Sequence, residues 1–86
     1  MNKSTLCKRL LKLFQNPKNV DFITLKGILN EFGYIDKQPK KGGSHYIFRK
    51  QDHCPITVPS HKPVKQKYVK DVISNLKLEK WYEEEC

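Results

Sequence analysis

Apolar residues recur along the chain in two rhythms, one near the helical 3.6 and one of two, and the changes between them divide it into elements. From Ser4 to Gln15, the residues Leu6, Leu10, Leu13 and Phe14 fall at helical spacing, with Lys8, Arg9 and Lys12 between them. Ser4 is the predicted N-cap, because its hydroxyl can accept from an unpaired amide of the first turn. Asn16-Pro17 ends this helix, since a residue before proline is pushed out of the helical region. After a loop to Val20, the residues Phe22, Leu25, Ile28, Leu29 and Phe32 form one stripe at i, i+3, i+6, i+7 and i+10, which predicts a second helix. Asp21 is the expected cap of its start, and Gly33 the residue that takes positive φ at its end. Gly27 inside the stripe costs about 1 kcal/mol of helix propensity relative to alanine, which predicts another backbone packed close to it.

Beyond Gly33 the period becomes two. Tyr34-Ile35 opens a short strand, and Lys37 to Gly43 is a basic turn containing proline and glycine. His45 to Lys50 is a strand with Tyr46 and Phe48 on one face and His45, Ile47 and Arg49 on the other. Gln51-Asp52-His53 turns the chain into a third strand, Ile56 to Val58, ended by Pro59. The helical period returns after Pro63 in Val69, Val72, Ile73 and Leu76, followed by a short helical stretch from Leu78 to Glu84 that carries Trp81. This order predicts a two-layer α+β domain with the helices on one face of an antiparallel three-stranded meander. Its buried layer would comprise Leu25, Ile28, Leu29, Phe32, Phe48, Ile56, Val58, Val69, Val72, Ile73 and Leu76. The second sheet face, with His45 and Arg49, is left in reach of solvent.

Length and charge narrow the picture. At 86 residues the chain is one small domain, and 17 Lys+Arg against 9 Asp+Glu give it a net charge of +8, which favours a polyanionic or acidic partner. No apolar run approaches the roughly 18–20 residues of a membrane span, and no signal-peptide pattern follows Met1. Cys7, Cys54 and Cys86 are odd in number and widely spaced, and they read as free thiols in a reducing cytosol. A secreted disulfide knot, a membrane protein and a multidomain enzyme are thereby excluded; a small enzyme is not.

The stretch that carries chemistry is Lys40-Lys41-Gly42-Gly43-Ser44-His45-Tyr46-Ile47-Phe48-Arg49. Glycines let a backbone approach a phosphate closely, lysines neutralise it, and a histidine exchanges a proton near neutral pH. Metal-free RNA cleavage requires little more: a base for the ribose 2′-hydroxyl, cations for the phosphate, and a proton for the leaving 5′-oxygen. From the residues alone, a surface histidine following a glycine turn is the plainer reading of His45. Three histidines and a cysteine lie between residues 45 and 61, but no C-x₂-C, H-x₃-H or H-E-x₂-H spacing occurs, so neither a metal nor another cofactor is expected.

The run G-S-H-Y-I-F-R, then I-T-V-P-S-H, then P-V-K-Q-K-Y-V-K-D-V-I closely resembles the HicA toxins of bacterial toxin–antitoxin pairs. These are small mRNA interferases with a double-stranded-RNA-binding-like α-β-β-β-α fold. The resemblance covers residues 22–76 of a single domain spanning 1–86, with residues 4–15 as an extra N-terminal helix and 78–86 as a tail. It implies a cytoplasmic endoribonuclease that cuts mRNA with His45 as the catalytic residue, restrained by a cognate HicB-like antitoxin, with neither a membrane nor a small-molecule substrate involved. Lys40, Lys41, Gly42, Gly43, Ser44, Arg49 and His61 would then contact RNA. Many members have a second histidine directly after the catalytic one, where this chain has the inward-pointing Tyr46. The N-terminal helix and the tail are expected to contact the antitoxin if they have a role.

Each candidate also has a plainer reading. His61 either donates to a phosphate, supplies the acid, or is a loop histidine bonded to backbone. His53 reads as a surface turn residue and Cys54 as a small buried or edge thiol. Lys37, Lys40, Lys41, Arg49 and Lys50 around the histidine, and Lys62, Lys65, Lys67 and Lys70 near the last helix, are singly solvated charges. Together, with Asp52 the one acid between Lys37 and Lys70, they form a candidate phosphate-binding surface. A non-catalytic RNA-binding module of similar fold is the competing reading.

Overall fold

The computed structural model describes residues 1–37 and 45–86. Within them the chain forms α1 (Lys3–Gln15), α2 (Phe22–Glu31), β1 (Ile35–Lys37), β2 (His45–Arg49), β3 (Ile56–Pro59), α3 (Gln66–Asn75) and α4 (Leu78–Glu85). The strands make one antiparallel sheet in the order β1-β2-β3, so the molecule is a small α+β domain. Register opposes Ile35 to Arg49, Lys37 to Ile47, Ile47 to Thr57 and His45 to Pro59. Opposed residues share a face, so Tyr46, Phe48, Ile56 and Val58 point together toward the helices, as the period of two predicts. Phe48, Ile56 and Val58 are buried there, and the Phe22 ring of α2 lies 4.7 Å from that of Tyr46.

The end of α2 shows how the chain passes from helix to sheet. Gly33 has φ +92, its N–H donates to the Asn30 carbonyl and that of Tyr34 to the Leu29 carbonyl, the Schellman arrangement expected of a left-handed glycine. Asn30 Nδ2 then donates to the Tyr34 carbonyl at 2.8 Å and to Asp36 Oδ1 at 3.3 Å, while Lys26 Nζ stands 3.4 Å from the other Asp36 oxygen. Asp36 is thus held on the helix side of β1, which sends its neighbours Ile35 and Lys37 outward. Lys37 is therefore a strand residue and not the first residue of the turn.

Several expectations need correcting. The N-cap of α1 is Asn2, whose Oδ1 accepts from the Thr5 N–H at 2.8 Å, and Ser4 lies inside the helix. Asp21 is the N-cap residue of α2, as expected, but its side chain makes no capping bond. What approaches Gly27 is the Met1 and Arg9 side chains of the N-terminal segment, at 3.4 and 3.5 Å from a notional Cβ, and no backbone. That packing belongs to a larger difference. Leu6, Leu10 and Leu13 of α1 join the same buried cluster as Leu25, Phe48 and Val69, along with Val20, Tyr34, Val64 and Leu78, while Phe32, Ile73 and Leu76 are only partly buried. The N-terminal helix and the tail are thus part of the core.

The cysteines are not three free thiols. Cys7 of α1 and Cys86 after α4 form a disulfide across 79 positions of sequence, with a Cα–Cα distance of 6.0 Å, and only Cys54 is free. The bond works beside the Lys3–Glu85 ion pair and the edge-to-face contacts of Phe14 with Tyr82 and Phe32 with Trp81 to fix α4 against α1 and α2. The thiols consequently give no argument for a reducing compartment. Among the described residues, no helix is long and apolar enough to cross a membrane.

Candidate functional site

The helices cover one face of the sheet and leave the other bare. Alternation and register place seven residues on this face, Ile35 and Lys37 from β1, His45, Ile47 and Arg49 from β2, and Thr57 and Pro59 from β3; Pro59 is buried, and the other six line the bare face. All six are exposed, including two isoleucines at 71% and 38%. None is a carboxylate, and among the described residues none makes a side-chain hydrogen bond or ion pair. Among the described lysines and arginines of the whole chain, only Lys3 and Lys26 pair with acids. The positive charge of this face is uncompensated.

His45 opens β2, opposite Pro59. Its diagonal neighbours on the same face are Lys37 on one side and Thr57 on the other, at the roughly 7–8 Å typical of such positions. Arg49 shares the face but lies four residues further along, roughly 13 Å at strand rise. Lys37 is therefore the nearer of the two cations to His45. The sequence pattern places Lys37 only among a cluster of cations; its position beside His45 depends on strand register, which the alternation of β2 alone does not reveal.

His61 lies just past β3, two residues beyond Pro59, the partner of His45, so the two histidines occupy the same end of the sheet. His61 is exposed and its backbone N–H donates to the Pro59 carbonyl at 2.9 Å. His53 is the turn residue expected, its Nδ1 lying 2.8 Å from the Gln51 carbonyl and its ring edge-on to Tyr34. Cys54 is exposed and not buried. Burial pushes the Tyr34 phenol above its ordinary pKa, and the charge of the nearby Cys54 thiolate adds to this. Lys40, Lys41, Gly42, Gly43 and Ser44 lie outside the described residues.

Nothing in this arrangement gathers a metal site: among the described residues no three His, Cys, Asp or Glu side chains are placed to hold an ion. A groove of about 750 Å³ lies elsewhere, lined by Phe14, Ile73, Lys77 and Tyr82 among others; of the predicted basic surface it includes Lys70, and it includes neither His45, Arg49 nor His61. None of the six exposed side chains of the bare face lines that groove. Compared with models of protein families, with curated proteins and with solved structures, the chain matches none.

Proposed function

We propose that the protein is an endoribonuclease toxin of the HicA type that cuts mRNA by general acid–base catalysis at His45. The observation that carries the reading is the position of this histidine on a bare, acid-free sheet face beside Lys37, with Arg49 further along the same strand. The sequence motifs around it support the same reading, as does the element order α2-β1-β2-β3-α3, which has the α-β-β-β-α order of a double-stranded-RNA-binding-like core.

In this mechanism the imidazole of His45 takes the proton of a ribose 2′-hydroxyl. The 2′-oxygen forms a bond to the adjacent phosphorus as the bond to the 5′-oxygen breaks, leaving a cyclic phosphate and a 5′-hydroxyl end. The leaving oxygen takes its proton from water or from His61, the one other histidine at this end of the sheet. Lys37 stabilises charge at the reacting phosphate, and Arg49 holds a neighbouring one. An acidic HicB-like antitoxin laid over the face would block His45. Action in the cytoplasm follows from the mRNA substrate.

The test is cleavage of RNA by the purified chain in excess EDTA, beside a His45→Ala variant. Cleavage should fall at least 100-fold in the variant, the lower range for loss of a general acid–base group, while RNA affinity stays within a few-fold. Salt-sensitive RNA binding with no cleavage by either protein would replace this reading with the non-catalytic binding module, for which the charge and the bare face suffice.

A further inference from the structure

An mRNA substrate places the chain in the cytosol, where reductants keep most thiols apart and a disulfide is ordinarily transient or redox-sensing. The Cys7–Cys86 bond has the build of such a pair. It lies on the wall of an open cleft of about 440 Å³ between α1 and α4, with Lys3, Lys8 and Tyr82 around it. Cys86 is exposed and Cys7 half-buried, so a small thiol can reach the sulfur of Cys86 from solvent. Exposed bonds of this kind are more readily reduced than bonds sealed in a core.

The bond also restrains a segment that little else holds. α4 is anchored at its start by the fully buried Leu78, and at its middle by Trp81 and Tyr82 against Phe32 and Phe14. Its last turn, Glu83 to Glu85, is exposed, and among the described residues the Lys3–Glu85 ion pair is its one polar side-chain tie to α1. Both partners of that pair are exposed, and such pairs contribute little. The core sets Leu6, Leu10 and Leu13 of α1 in one cluster with Leu78, so the reduced chain keeps its fold and loses a restraint. No residue of α1 or α4 is among the six of the bare face.

We infer that the Cys7–Cys86 pair is a redox switch on the domain's resistance to unfolding, opened by small thiols such as glutathione and closed by their disulfides, with the His45 face unaffected. This rests, for the compartment alone, on the proposed mRNA substrate. In the opening step a reductant thiolate attacks Cys86 Sγ, the S–S bond breaks, and the Cys7 thiolate leaves into the cleft that holds Lys3 and Lys8 and takes a proton from water. A second reductant thiolate attacks the reductant's sulfur in the mixed disulfide and releases Cys86, which is protonated in turn. The cystine gains two electrons, and the two reductant thiols leave as one disulfide.

The test uses the full chain carrying Cys54→Ser, which leaves the pair as its only cysteines. It is equilibrated in glutathione buffers running from mostly oxidised to a cytosol-like excess of the reduced form. Alkylation and mass measurement count the thiols, and urea unfolding reads stability. The count should pass reversibly from none to two, and reduction should raise the unfolding equilibrium constant about 30- to 900-fold, as for a typical disulfide. RNA cleavage by the folded chain should be the same in every buffer. A bond that stays closed in the reducing buffer is a fixed staple and overturns the inference, as does reduction that leaves unfolding unchanged. Cleavage confined to one redox state overturns the separation of the switch from the His45 face. Thiol count and unfolding are read without RNA, so a chain that cleaves in no buffer overturns the toxin reading and not the switch.

Discussion

The two faces of the sheet are built from the same three strands and are opposite in almost every property. On the helix side, Tyr46, Phe48, Ile56 and Val58 meet Phe22, Leu25 and Val69, and the cluster contains no buried polar side chain. One residue to either side along β2, His45, Ile47 and Arg49 meet solvent. The helix side has every aromatic ring of the chain packed in or against it, while the bare side has cations, a histidine and no carboxylate. The difference shows how strand alternation lets a small domain keep its core on one face and its exposed charge on the other. Stability is concentrated on one face and unpaired charge on the other, so each should be alterable with little effect on its counterpart.

The largest test of that division is Leu10→Ala. Leu10 is fully buried in α1, far in sequence from the strands, yet it shares their core cluster. Removing it should destabilise the whole domain by about 2–5 kcal/mol, a large part of the roughly 5–15 kcal/mol expected in total. Urea unfolding followed by both far-UV circular dichroism and Trp81 fluorescence checks this. A loss below about 1 kcal/mol, or two separate transitions, would make α1 an appendage and the core smaller than described.

Next in size is the disulfide. Joining Cys7 to Cys86 closes a loop over 79 sequence positions, nearly the whole chain, so breaking it frees most of the unfolded ensemble. Cys7→Ser should cost about 2–4 kcal/mol, whereas Cys54→Ser, at an exposed free thiol, should stay within about 0.5 kcal/mol. Thiol titration of the native protein should find one reactive group, rising to three after unfolding in reductant. Three reactive thiols in the native state would show that packing alone holds α4 to α1.

These two tests bear on the parts that were least legible in the sequence. The stripe of α2, the alternation of β2 and the stripe of α3 could be read directly, because each is a periodic pattern within a single element. Gly33 could be read too, since its role depends on the residues immediately before it. The place of α1 could not, because amphipathic spacing shows that a helix buries one face without showing against what. The Cys7–Cys86 bond was invisible for the same reason: pairing across 79 positions depends on where α1 and α4 end up in space. At the site, the outward face of β2 is legible from alternation, but the sequence pattern puts Lys37 in a turn because β1 is only three residues long. Its register against β2 is what brings it beside His45.

The smallest expected effect is the most discriminating for the comparison of faces. Lys37→Ala and Arg49→Ala, alone or together, should leave unfolding stability within about 0.5 kcal/mol per site. Their side chains are exposed and make no hydrogen bond or ion pair among the described residues. Removing positive charge from a chain at +8 also relieves self-repulsion, so the double variant should be unchanged or slightly more stable at low salt. Phe48→Ala, one residue before Arg49 but on the other face, should lose about 3–5 kcal/mol in the same denaturation series. Near-zero change for the cations beside a large loss for Phe48 would establish that the bare face contributes charge and not stability. A loss above about 1 kcal/mol for either cation would mean that its side chain supports the sheet, and that the two faces are not independent.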